Sequence, residues 1–85
     1  MNPDDPVGII ELGNKNLICL IFKIKDDNES EIISTAVTPS EGIYNDVIIN
    51  LNKASNAIRF CISSAEEKVK ISLKKINVIF EQPDF

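Results

Sequence analysis

Apolar residues along this chain fall into four short runs and one long stripe. The stretch "VGIIEL" at 7–12 is a compact apolar run with an acid near its end, and it predicts a first strand. Residues 17–25, "LICLIFKIK", predict a second. That run opens apolar at every position, which implies burial on both faces. It closes by alternating, with Phe22 and Ile24 on one side and Lys23 and Lys25 on the other. "DDNES" at 26–30 is a polar turn cluster. Residues 31–38, "EIISTAVT", are rich in β-branched side chains and predict a third strand, after which "PSEG" breaks the chain. Residues 75–81, "KINVIFE", predict a fourth strand with Ile76, Val78 and Phe80 on one face.

Between the third and fourth strands the period changes from two to about 3.6. Leu51, Ala54, Ala57, Ile58, Cys61, Ile62, Ala65 and Val69 recur in steps of three and four, so a helix over 51–70 places them on one stripe. Asn50 is a suitable N-cap, because its side chain accepts from an orphan N–H of the first turn. Lys68 and Lys70 complement the dipole in the last turn. The basic run "KVKISLKK" therefore reads as a solvated helix end before it reads as a binding patch. Phe60 lies opposite the stripe, an exposed aromatic, and Glu66 and Glu67 are expected in solvent on the polar face.

This order, β-β-β-α-β, predicts an α/β fold with a mixed sheet. Short turns favour an antiparallel meander of the first three strands, and a helical crossover favours parallel pairing of the fourth. The expected sheet order is 3-2-1-4, with the helix on one face. The other face is then bare although the first two strands are apolar on both sides. Fully burying one large apolar side chain contributes roughly 1.5–3 kcal/mol, and soluble monomers rarely leave several exposed together. A partner copy or further chain is expected to cover that face.

Composition narrows the functional classes. The 85 residues suit one small domain, here a tail at 1–6 and a single partial subdomain over 7–85. Apolar residues make up 44% and charged residues 26%, a globular balance. The net charge of −4 disfavours a general nucleic-acid binder. Acids concentrate in the first half: residues 1–42 hold eight acids and three bases, and residues 43–85 hold five acids and six bases. Cys19 and Cys61 sit in apolar patterns without nearby His or Cys, so they read as buried free thiols and not as zinc ligands. With no basic leader and no long apolar run, the chain reads as cytoplasmic. No nucleophile–base pair is evident, and no catalytic residue is assigned. Asp26 and Asp27 sit in a turn, where such side chains commonly bond their own backbone.

The segment "ELGNKNL" at 11–17 carries two readings. As a plain hairpin, it exploits Gly13 and Asn14, residue types that adopt positive φ at low cost. As an anion site, successive amides of the turn point into one concavity and Lys15 adds charge. Glu11 would then hold water around a Mg²⁺ that bridges phosphates. Neither the Walker nor the Rossmann glycine pattern is present.

"GIIELGNKNL" resembles the first phosphate loop of the actin-like ATPases. The likeness is greatest to the FtsA family of bacterial cell-division proteins, in which a Pro/Ser-x-Gly turn, an amphipathic helix and a strand follow in this order. The chain carries that series in "TPSEGIYNDVIINLNKASNAIRFCISSAEEKVKISLKKINVIF", and the resemblance runs over nearly all of 7–81. Asn14 stands where Ser or Thr is common, Glu11 where Asp is commoner, and Asn50 where an acid precedes the helix.

The resemblance implies a partial actin-like, ribonuclease H-like subdomain, the N-terminal part of a longer protein. It assigns Gly13, Asn14, Lys15 and Asn16 to phosphate and Glu11 to the metal, with ATP and Mg²⁺ as cofactors only in the full-length context. The implied partners are the tubulin-like division-ring protein and further copies of itself, with membrane attachment through a later C-terminal helix. That would place the full-length protein at the cytoplasmic face of the inner membrane. At most a weak ATPase is implied, inactive in this piece alone. Two alternatives stay open: a small dimerising module without nucleotide, and a pilus-assembly relative on the same fold.

Overall fold

The computed structural model describes residues 6–25, 29–45 and 47–80. The Asp26–Asp27 turn and the end of the chain after Phe80 lie outside the described residues. The elements are β1 (Val7–Leu12), β2 (Asn16–Ile24), β3 (Ser30–Pro39), β4 (Ile43–Tyr44), β5 (Val47–Ile48), α1 (Leu51–Val69) and β6 (Ile76–Phe80). The main sheet has the order β3-β2-β1-β6, the arrangement expected from the pattern. β1 pairs antiparallel with β2 and parallel with β6, and β2 pairs antiparallel with β3.

Register separates the two faces. Leu12 opposes Leu17, Ile10 opposes Cys19 and Gly8 opposes Ile21. Across β2, Leu17, Cys19 and Ile21 oppose Thr38, Ala36 and Ser34. These residues form the floor on which α1 packs, with Ala54, Ala57, Cys61 and Ala65 buried above them. Small residues on both sides let the helix backbone come close to the sheet. Ser34 is buried there, and its hydroxyl donates to the Ala65 carbonyl at 2.7 Å. Ile58, Ile62 and Val69 pack at the margin of the core. Leu51 departs from the expected stripe: it is exposed in the first turn of the helix.

On the opposite face, Glu11 opposes Ile18, Ile9 opposes Leu20 and Val7 opposes Phe22. Val37, Thr35 and Ile32 continue the face on β3, and Ile79 continues it beside Glu11 on β6. No described element covers it. Val37 is 60% exposed, and Ile9, Ile18, Leu20 and Phe22 are half-buried only through their neighbours in the sheet.

The ends of α1 are fixed locally. Asn50 accepts from the Lys53 N–H at 3.0 Å, as an N-cap should. Lys70 is left-handed at φ 55° and ends the helix. Glu66 is not solvated as expected. It is half-buried, and its carboxylate accepts from the Leu73 N–H at 2.6 Å, closing the turn toward β6. The small β4–β5 hairpin is an addition to the expected elements. It turns at Asn45, φ 49°, and is anchored at Gly42, φ 73°. A Cβ at Gly42 would run into the Asn50 carbonyl and come within 2.8 Å of the Ala54 nitrogen, so backbone angle and space both require glycine. The edge of β3 is guarded by a bulge near Ile33, by Pro39, and by Lys68, whose ammonium donates to the Thr35 carbonyl at 2.5 Å.

Candidate functional site

Leu12 and Leu17 are the last opposed pair of the β1–β2 hairpin, so residues 13–16 must reverse the chain. The Gly13 N–H donates to the Asn16 carbonyl at 3.1 Å and closes the turn. The expected use of positive φ at Gly13 and Asn14 does not occur. Among the described residues, positive φ falls at Gly42, Asn45 and Lys70. The chain reverses over residues 13–15 without a left-handed residue.

This turn borders a cavity of about 360 Å³ lined by Glu11, Asn14, Lys15, Asn16 and Ile18. It opens on the bare side of the sheet, because Glu11 and Ile18 oppose each other on that face. Glu11 is half-buried, whereas Asn14, Lys15 and Asn16 are exposed. Four of the five residues singled out in the sequence therefore meet around one space. Gly13 does not line it. It is buried behind the turn, where its carbonyl accepts from the Ser40 hydroxyl at 2.5 Å. The Ser40 amide also donates to the Lys15 carbonyl at 2.9 Å. Ser40 was not singled out in the sequence. Its only signal there is its place in "TPSEG", directly after the proline that ends β3.

The donor set suits a particular kind of ligand. One ammonium and two carboxamides can donate to phosphate oxygens, and a single carboxylate can order the water shell of a Mg²⁺ ion. Mg²⁺ usually takes one or two carboxylates plus waters and substrate phosphates, so one acid is compatible with it. Among the described residues, no group of three His, Cys, Asp or Glu side chains gathers to hold a metal by protein ligands alone. Among the described residues that line the cavity, none is aromatic.

A second groove, of about 270 Å³, lies on the helix side between the end of β3 and α1. Thr38, Pro39, Glu41, Asn56, Ala57 and Phe60 line it, with no cationic side chain among these described residues. Phe60 is 65% exposed at its rim, as the sequence pattern implies. Cys19 and Cys61 are both free and fully buried in the core. Burial pushes the Cys19 thiol up to about 11, and nearby Cys61 and Glu66 add to the shift. Cys61 Sγ lies 3.6 Å from the carbonyls of Leu17 and Ala36. These thiols are structural and not reactive. No helix among the described residues is long and apolar enough to cross a membrane.

No protein-family model matches the chain. It is similar to the cell division protein FtsA of Streptococcus pneumoniae serotype 2 (strain D39), with 30% identity over 69 residues, which cover 81% of this chain and 15% of that protein. It is also similar to the cell division protein FtsA of Neisseria meningitidis serogroup B, with 25% identity over 60 residues, covering 71% of this chain and 14% of that protein. The chain thus spans about one-seventh of the length of these curated relatives. Among solved structures, it superposes on the diol dehydratase-reactivating factor in its nucleotide-free form with a TM-score of 0.69. That match has 13% identity and covers 87% of this chain and 12% of the other. It shows the fold, part of an actin-like α/β domain.

Proposed function

We propose that this chain is the opening piece of an FtsA-like cell-division protein and contributes the first phosphate loop of an actin-type ATP site. The observation that carries this reading is the cavity at the β1–β2 tip, where Glu11 and Lys15 line one space in a chain 30% identical to an FtsA over 69 residues. Lys15 neutralises phosphate charge, and Asn14 and Asn16 donate to phosphate oxygens. Glu11 would order the water shell of a bound Mg²⁺. ATP would supply a phosphoanhydride whose presence or loss controls assembly. The remaining wall, with the base pocket and the second phosphate loop, would come from a longer protein. In that setting the bare sheet face packs against further chain. Polymerisation, contact with the tubulin-like ring protein and attachment to the inner membrane belong to the same proposal.

A titration followed by backbone NMR tests this reading. Adding ATP·Mg²⁺ to the 85-residue chain should shift the amides of residues 11–18 with weak, roughly millimolar affinity, about 4 kcal/mol of binding. Complete insensitivity of those amides would remove the phosphate-loop role. Micromolar binding would equally count against it, since one wall would then do the work assigned to two.

The bare face also supports a second reading, a small module that dimerises through Ile9, Ile18, Leu20 and Phe22 without any nucleotide. Sedimentation separates the two. A tight dimer with a single cooperative melt favours the module, and a weakly self-associating species favours the piece of a longer protein.

A further inference from the structure

We infer that Ser40 is a positioning residue for the cavity at the β1–β2 tip, an inference that rests on the phosphate-loop reading above. Ser40 is the point at which two separate segments of the chain are joined. Its hydroxyl donates to the Gly13 carbonyl at 2.5 Å, and its amide donates to the Lys15 carbonyl at 2.9 Å. Those two carbonyls flank Asn14, so the backbone on either side of the loop tip is held from the β3 end. The side chains of Asn14, Lys15 and Asn16 are exposed, and the bonds from Ser40 add to the Gly13 N–H bond to the Asn16 carbonyl that closes the turn.

The anchor itself is firm. Two residues after Ser40, the Gly42 carbonyl accepts from both the Ile49 N–H at 2.8 Å and the Asn50 N–H at 3.1 Å. Asn50 in turn caps α1. The loop is therefore tied through 40–42 to the start of the helix and not only to its own hairpin. A loop ordered in advance spares the binding step the entropy of ordering it. Ser40 engages loop acceptors in both bonds, so the anchor consumes no donor of the loop.

Amide hydrogen exchange and triphosphate titration on the 85-residue chain test this together, with Ser40→Ala, Ser40→Cys and Ser40→Thr as variants. Loss of the hydroxyl in Ser40→Ala should speed exchange at residues 13–16 about tenfold and weaken inorganic triphosphate binding by a similar factor, the scale of one lost hydrogen bond. Exchange at Ile10 and Cys19 should stay unchanged, and Ser40→Thr should restore both readouts. If Ser40→Ala unfolds, Ser40→Cys carries the test, since its thiol is a near-isosteric but weak donor. Unchanged exchange and unchanged binding in the variants, with a responsive wild type, would overturn the role of Ser40 alone. A wild type whose amides ignore triphosphate would sink the nucleotide reading, and with it the site that Ser40 serves.

Discussion

On one side of β2, Leu17, Cys19 and Ile21 are fully buried; on the other side of the same strand, Ile18, Leu20 and Phe22 are only half-buried. The two sets have similar hydrophobicity, so intrinsic preference does not separate them. What separates them is the residue opposite. The covered side meets Ala36, Ser34 and Thr38 on β3 and Ala54, Ala57, Cys61 and Ala65 on α1, all small enough for a helix to settle closely. The bare side is broadened by Ile32, Val37 and Ile79, large groups that fill the surface without a described lid. Stability of the chain itself should reside on the first side, and its capacity to associate on the second.

The sharpest way to break this contrast is Ile10→Ala, at the centre of the covered side. Deleting those methyl groups should lower unfolding free energy by about 2–5 kcal/mol, measured by urea denaturation. The next effect is alkaline. Cys19 is held neutral by burial, so its folded pKa of about 11 lies above the ordinary value of 9.0. The folded state then binds more protons between those values. Its contribution is fully present below about pH 9 and is lost as pH rises toward the folded value. A urea midpoint that falls over this window in wild type, and falls less in Cys19→Ala relative to its own neutral-pH value, is the expected result. Ser34→Ala is smaller still: it removes the bond to Ala65 and should cost about 0.5–1.5 kcal/mol. Leu20→Gln on the bare side should change stability least, within about 0.5 kcal/mol. It should instead reduce self-association in sedimentation. A Leu20→Gln effect as large as that of Ile10→Ala would erase the distinction between the faces.

Much of this architecture was legible because its signals are periodic. The full stripe from Ala54 to Val69 and the unbroken apolar start of β2 led directly to the helix, the central position of β1 and β2, and the uncovered face. The β4–β5 hairpin left no such trace, since two-residue strands are too short to show a period. Glu66 was misplaced because its partner, the Leu73 amide, lies past the helix end, where helical spacing says nothing. At the candidate site, Glu11, Asn14, Lys15 and Asn16 meet because they are neighbours on one hairpin, a local fact that sequence order already contains. Ser40 enters from 27 positions away through strand pairing, and only the three-dimensional register brings it to Gly13.

The doubly engaged carbonyl of Gly42 has a dynamic corollary. One oxygen receives both the return of the small hairpin and the entry to the helix, which couples the two segments at a single point. The amides of Ile49 and Asn50 should lose protection in concert, as one opening unit, rather than through independent local excursions.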